Sequence, residues 1–407
     1  MRIKNIHIHN FRSVKDTTFH LDDYSVLIGA NNQGKSNIIR ALRVFYECDK
    51  LKYRKPDDFP KFDTDDRDSW IELEFQLTDD ENETLKDEYH LPDNTLKVRK
   101  YLQSSAGLVK GNQSNIYGYT PEGISDTLFY GAKNISQAKL GTVLYIPDVM
   151  TTEEAFKLKG PSPFRDVLNF VVGKVVKKSA SYSALQSSFQ KFDDQFPHDK
   201  SADGHSVKGI QESLNENIRE WDVEFNLHIN PIDTDEIIKS LVTHSLTDSD
   251  LGKDVDIKHF GQGLQRHLIY TILKMSTEYV DEDEPKKKEF NPDFTLILFE
   301  EPEAFLHPSQ QEILNNSLHT LSEIEGNQVL ATTHSPTFVS KNIELLSSLI
   351  RVKRKEGGIS NIYQISDAEM DKLVLNNDGL YKHLEVTYND PQTPPEDKTA
   401  LGGNASF

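Results

Sequence analysis

What this sequence is short of narrows it first. One cysteine, Cys48, in 407 residues excludes an internal disulfide and any cysteine-rich zinc site. No apolar run approaches the roughly 20 residues that span a bilayer. The opening Met1-Arg2-Ile3-Lys4-Asn5 carries no apolar signal-peptide core. These absences make a cytoplasmic chain with no membrane partner the expectation. Positive charge is also scarce: 46 Lys and Arg against 65 Asp and Glu give a net charge of −19. That argues against broad, nonspecific coating of nucleic acid. It leaves room for a local basic groove. Its candidates are the short clusters Lys50/Lys52/Arg54/Lys55, Lys97/Arg99/Lys100, Lys174/Lys177/Lys178 and Lys286/Lys287/Lys288, each equally readable as solvated surface. No internal repeat is present.

What remains is a soluble chain, 36% hydrophobic and 27% charged, long enough for two or more domains. Ile3, Ile6, Ile8 and Phe11 alternate with polar residues as in a half-buried strand. Thr17–Leu21, Tyr24–Ile28, Trp70–Leu77, Leu96–Leu102, Ile116–Tyr119 and Thr142–Ile146 read as further strands. Ile38, Ile39, Leu42 and Phe45 give the helical spacing of a segment starting at Lys35. Phe164–Val176 and Val207–Trp221 are helical in period, with a polar stretch, Ser179–Asp203, between them. Phe294–Phe299 is a nearly continuous apolar run, as a buried parallel strand requires. A helix over Gln310–Ile324 and strands at Gln328–Ala331, Leu349–Val352 and Ile362–Ile365 follow. The partition expected is a first lobe over 1–155, a helical insertion over 156–243 serving as a dimerisation or partner arm, a second lobe over 244–370, and an extension with a disordered tail over 371–407.

The spacing Gly29-x4-Gly34-Lys35-Ser36, between strand Val26-Leu27-Ile28 and a helix, is a phosphate-binding loop. Glycines allow a tight wrap that turns backbone N–H groups inward, Lys35 brings a point charge to the β- and γ-phosphates, and the Ser36 hydroxyl can ligate Mg²⁺. Asn31, Asn32, Gln33, Gly34 and Asn37 complete the nucleotide contacts. The run Phe294–Phe299 ends in Glu300-Glu301-Pro302-Glu303. Adjacent side chains of a strand diverge, so Glu300 is assigned to the metal and Glu301 to orienting and deprotonating the attacking water. A second short strand ends in Thr332-Thr333-His334-Ser335-Pro336, which places His334 as a γ-phosphate sensor. Phe260-Gly261-Gln262-Gly263-Leu264-Gln265-Arg266, before an apolar helix at His267–Met275, offers a second anion-binding turn. Gly261, Gln262 and Gly263 are read as touching the γ-phosphate of an ATP held by another copy of the chain.

These elements, in this order, resemble the ABC-type ATPase heads of the SMC-like group. The start Ile8-His9-Asn10-Phe11-Arg12-Ser13 is similar to that group's opening, which implies that Arg12 lies near the nucleotide. The runs Phe299–Pro308 and Gly261–Arg266 resemble the OLD (overcoming lysogenization defect) family of ATPases more closely still. The resemblance covers about 1–150 and 245–355. It implies an α/β fold, an ABC-type P-loop NTPase head of mixed β-sheets and flanking helices, carrying a helical insertion. It also implies ATP and Mg²⁺ as cofactors and a homodimer or higher homo-oligomer. Three departures stand out. Glu300 replaces the usual Asp. Gly261-Gln262 replaces Ser-Gly, removing one phosphate-facing hydroxyl. The Q-loop has no clear place, with Gln76 and Pro147-Asp148 as candidates. The Toprim nuclease signature of the family, a Glu-Gly turn followed by an Asp-x-Asp strand, is not seen after Val352, and Asp254-Val255-Asp256 lies upstream in what reads as a polar loop.

The reading favoured is a dimeric ATPase that hydrolyses ATP at its interfaces and acts as sensor or scaffold for a separate effector, a nuclease in antiphage defence. Two alternatives stay open. One is a RecF/SMC-like DNA-maintenance ATPase with DNA as partner. The other is a nucleotide-gated interaction protein with little hydrolysis.

Overall fold

The computed structural model describes residues 1–148, 179–195, 199, 206–221, 223–226, 245–255, 264, 268, 271–272, 289–304, 306–339 and 343–365. Contacts divide the chain into two compact units, Met1–Val149 with Glu282–Phe407, and Met150–Asp281. In the first unit the chain runs β1 (Arg2–Phe11), β2 (Val14–His20), β3 (Tyr24–Ile28), α1 (Lys35–Phe45), α2 (Lys55–Asp58), β4 (Ser69–Gln76), α3 (Asp79–Thr84), β5 (Thr95–Gln103), β6 (Ile116–Thr120), β7 (Gly123–Leu128) and β8 (Thr142–Ile146). The second unit holds α4 (Ala180–Gln195), α5 (Val207–Ile218) and a hairpin of β9 (Leu246–Asp248) and β10 (Lys253–Val255). The first unit closes with β11 (Thr295–Glu300), α6 (Pro308–Ser322), β12 (Asn327–Thr333), β13 (Leu349–Arg354) and β14 (Ser360–Tyr363).

Two six-stranded sheets form, in the orders β2-β1-β4-β5-β6-β7 and β14-β13-β3-β12-β11-β8. The first is antiparallel throughout. Its strands alternate: Ile6, Ile8, Ile71, Leu73, Leu96 and Val98 are wholly buried, as one face packed on a core demands. In the second sheet β8, β11, β12, β3 and β13 run parallel. Every residue of β11 and β12 is buried, because a parallel sheet is covered on both faces. Helix α1 joins the two sheets. Its Ile38, Ile39, Leu42 and Phe45 sit at 0% exposure in the same hydrophobic core as Ile6, Leu73, Leu27, Leu298 and Leu330. Burial of each such side chain contributes about 1.5–3 kcal/mol.

This is the mixed-sheet α/β P-loop fold expected. Two elements differ from the expectation. β7 has no alternating apolar pattern, and Asp254 and Val255 belong to strand β10 rather than to a loop. That hairpin is held by local polar bonds, Asp250 and Leu251 N–H to Asp248 Oδ1 at 2.9 and 3.0 Å and Thr247 Oγ1 to Asp254 Oδ1 at 2.7 Å, so it left no hydrophobic trace. The helix read at Phe164–Val176, the turn Gly261-Gln262-Gly263, most of His267–Met275, the clusters at 174–178 and 286–288 and the tail 389–407 lie outside the described residues. No helix among the described residues is long and apolar enough to cross a membrane.

Candidate nucleotide site

Register in the parallel sheet decides which loops meet. Ile28 lies beside Thr333, Glu300 beside Thr332 and Phe299 beside Ile146. The chain segments leaving the C-terminal ends of β3, β11, β12 and β8 therefore emerge along one edge, where open α/β sheets bind ligands. Those segments carry the phosphate loop, Glu301, His334 and Asp148.

The loop 29–34 is built to admit phosphate backbone-first. Gly29 has φ 151 and Gly34 has φ 111, values that L side chains avoid. A Cβ on Gly34 would lie 2.2 Å from Ser360 Oγ, and one on Gly29 would lie 2.4 Å from the Val352 carbonyl oxygen. Residues Asn31 and Asn32 are exposed, the latter in the left-handed region at φ 63. Behind the loop a row of polar bonds fastens it. Ser360 Oγ donates to the Gln33 carbonyl at 2.6 Å and lies 2.7 Å from Ser13 Oγ, and Arg354 N–H donates to Gln33 Oε1 at 2.6 Å.

Lys35 is 7% exposed and uses its three donors at once. Nζ lies 2.7 Å from the Gly29 carbonyl, 3.3 Å from that of Ala30 and 2.9 Å from His334 Nε2. Burial lowers its affinity for the proton, an effect opposed by Glu301, Glu303 and Glu300. Ser36 Oγ donates to Glu300 Oε2 at 3.2 Å, and Tyr145 OH donates to Glu300 Oε1 at 3.0 Å. Burial raises the Glu300 carboxyl above the usual range; the Tyr145 bond works against this, Asp148 adds to it, and Ser36 and Arg43 oppose it. Two oxygen donors, Ser36 and Glu300, thus meet beside the Lys35 charge, a donor set that suits a hard cation next to phosphate. Glu301 takes the other direction. Its backbone is left-handed at φ 44, pinned by Thr332 O and Oγ1 at 2.9 and 3.1 Å, and its Oε1 stands 3.4 Å from His334 Nε2. A non-glycine residue in that region at a site of this kind marks stored backbone strain.

Arg12, also left-handed at φ 52, is held by Asp58 Oδ1 at 2.9 Å and Asn37 Oδ1 at 3.2 Å. Asn37 Nδ2 donates to Ser13 Oγ at 2.6 Å, so both ends of this amide serve the Arg12–Ser13 segment. Asp58 is fully buried and also accepts from Arg40 Nε at 2.7 Å and the Arg54 N–H at 2.9 Å. Burial pushes its carboxyl up, but the Arg40, Arg54 and Arg12 hydrogen bonds outweigh this and hold it below the ordinary value.

Sequence reasoning missed Asp58, Tyr145 and Ser360, none of which sits in a motif spacing, and gave Ser13, inside the opening motif, no role. Of the Q-loop candidates, Gln76 pairs with Arg2 at the start of β1, that strand's whole length from Arg12, and donates to the Asp93 carbonyl at 2.7 Å. Asp148 is the candidate whose charge reaches Glu300. The cluster Lys97/Arg99/Lys100 does not form a basic groove. Lys97 and Arg99 both pair with Glu72, at 2.9 and 2.6 Å, whereas Lys100 is buried on the opposite face against Glu47 at 2.7 Å.

Fold and site together define a P-loop ATPase domain. The chain belongs to the AAA ATPase domain family, whose model matches residues 1–117 and 164–339. Among known proteins it is similar to the Old nuclease of Escherichia phage P2, 28% identical over 362 residues, covering 84% of this chain and 57% of that protein. It is also similar to endonuclease GajA of Bacillus cereus strain VD045, 24% identical over 390 residues, covering 90% of this chain and 61% of that one. The chain therefore spans about three fifths of the length of these relatives. The likeness to the OLD family read from the motifs holds. Among solved structures, an Smc head bound to the C-terminal winged-helix domain of ScpA aligns over 91% of this chain and 99% of its own at 13% identity, with a TM-score of 0.49. The SMC head domain from Thermotoga maritima aligns over 90% and 100% at 14% identity, with a TM-score of 0.38.

Proposed function

We propose that the chain hydrolyses ATP at an interface between two of its copies and that this cycle drives a separate nuclease effector in antiphage defence. Lys35 and the loop amides hold the phosphates. Ser36 and Glu300 hold Mg²⁺, which when bound supplies counter-charge to the phosphate oxygens. Glu301 orients and deprotonates the attacking water, and His334 senses the γ-phosphate. Gly261, Gln262 and Gly263 of the second copy complete the site, and Arg12 lies against the nucleotide. The observation that carries the ATPase part of this reading is the convergence of Lys35 and Glu301 on His334 Nε2, at 2.9 and 3.4 Å. The effector assignment is motivated by both relatives being named nucleases.

The test measures phosphate release and particle mass together, with Mg²⁺ and ATP, for the wild type and Glu301→Gln. Turnover per chain is expected to rise with protein concentration. The Glu301→Gln protein is expected to bind ATP, accumulate as a dimer and lose about 100-fold or more in turnover. Turnover that is independent of concentration, from a particle that stays monomeric, would sink the composite site.

A further inference from the structure

The carboxylate of Glu303 has no part in the mechanism above, yet it is held by hydrogen bonds directly beside it. Its Oε1 accepts two successive backbone N–H groups, from His334 at 2.6 Å and Ser335 at 3.1 Å. Its Oε2 is sealed from solvent with no hydrogen-bond partner among the described residues. The two bonds belong to a closed ring. Ser335 Oγ donates to Gln311 Oε1 at 2.9 Å, and Gln311 Nε2 donates to the Leu306 and Glu303 carbonyls at 3.1 and 3.4 Å. The ring ties together the turn after β11, the segment after β12 and the first turn of α6. Among the described residues, the hydrogen bonds of the Glu303 carboxylate reach the site through the main chain of His334, and its charge also acts on Lys35.

We propose that Glu303 is a positioning residue: it fixes the backbone of His334 so that the imidazole stands between Lys35 and Glu301. Charge-assisted bonds from two adjacent amides to one oxygen leave the segment little freedom. The His334 ring nitrogen has to be placed between Lys35 Nζ at 2.9 Å and Glu301 Oε1 at 3.4 Å. A segment free to drift by an ångström loses one of those contacts. Glutamate is needed for its reach and for its acceptor oxygen. The side-chain carbonyl of glutamine can take both N–H groups, whereas alanine leaves them unmet. The catalytic part of this inference rests on the proposed ATPase mechanism; the geometric part does not.

Two readouts separate the parts. In phosphate release, E303A is expected to lower kcat about 10- to 100-fold while KM changes less than about threefold, because positioning acts on the reacting geometry and not on phosphate binding. E303Q is expected to recover most of that loss. On an H334A background, E303A is expected to add nothing, since both changes remove one function. In a histidine-selective NMR spectrum, the His334 ring signal, identified by its absence from H334A, is expected to move in E303A and return in E303Q. Melting curves of each variant confirm folding. A wild-type kcat in E303A, a full additional loss on the H334A background, or an unmoved His334 signal overturns the proposal. A wild type that hydrolyses no ATP overturns the proposed function instead, and the NMR arm then decides the role of Glu303 alone.

Discussion

Lys35 Nζ donates to His334 Nε2 across 2.9 Å, joining the phosphate loop after β3 to the tip of β12. An ammonium is a donor only, so in this contact Nε2 is the acceptor. The same Nε2 lies 3.4 Å from Glu301 Oε1. It can accept from Lys35, or carry a proton toward Glu301, but not both.

His334→Ala should therefore leave ATP binding within about threefold of wild type, or tighten it, since Lys35 loses a competing partner. Turnover should fall about 10- to 100-fold. Equilibrium titration with ATP beside steady-state phosphate release reads both. A large loss of binding with unchanged turnover of the bound fraction would contradict the pairing.

Gly34→Ala should abolish ATP binding. The new Cβ meets Ser360 Oγ at 2.2 Å at a residue with φ 111, and strain of this kind costs about 1–3 kcal/mol before any contact is relieved. Ser360→Ala is the milder probe. It removes the bonds to Gln33 O and Ser13, and should weaken ATP about 5- to 30-fold, in keeping with about 1 kcal/mol per hydrogen bond.

Asp58→Ala should destabilise the fold by about 2 kcal/mol or more, because hydrogen bonds to a charged group are worth about 1.5–3 kcal/mol and several end there. The pH dependence follows from the sign of its shift. Its folded carboxyl lies below the ordinary value, so the stabilisation is present above the unfolded value and is lost as pH falls through the folded one. Acid melting curves of wild type and Asp58→Ala should converge at low pH. Curves that stay parallel would contradict this.

Glu300 has the opposite sign. Its carboxyl lies above the ordinary value, so its contribution favours the fold at low pH and is lost as pH rises through the folded value. Glu300→Gln should thus melt higher than wild type at pH 8 without Mg²⁺ or nucleotide, while its ATP turnover falls about 100-fold. A lower melting point under those conditions would refute the unfavourable burial of this carboxylate.

Much of this site was legible in the residues because its parts are local. The glycines at 29 and 34, the lysine and the two glutamates each follow an apolar strand within a few positions, and strands announce themselves by burial. The supporting groups were not legible. Asp58 meets Arg12 across 46 positions, Tyr145 meets Glu300 across 155, and Ser360 meets the Gln33 carbonyl across 327. Pairing of β8 with β11 brings Tyr145 to Glu300, and no spacing rule encodes such long-range pairings. The basic cluster Lys97/Arg99/Lys100 misled for the converse reason. Adjacent in sequence, its members point to opposite faces of β5.

The order of strands in the parallel sheet has a consequence for biosynthesis. The phosphate loop follows β3, yet β3 lies between β12 and β13, whose residues are made some 300 positions later. Ile3 likewise exchanges both backbone bonds with the Gln328 side chain, 325 residues away. A ribosome-bound chain therefore exposes an incomplete loop and two unpaired strand edges for most of its synthesis. Nucleotide cannot act as an early folding template here, and binding competence should appear abruptly, only after β13 has cleared the exit tunnel.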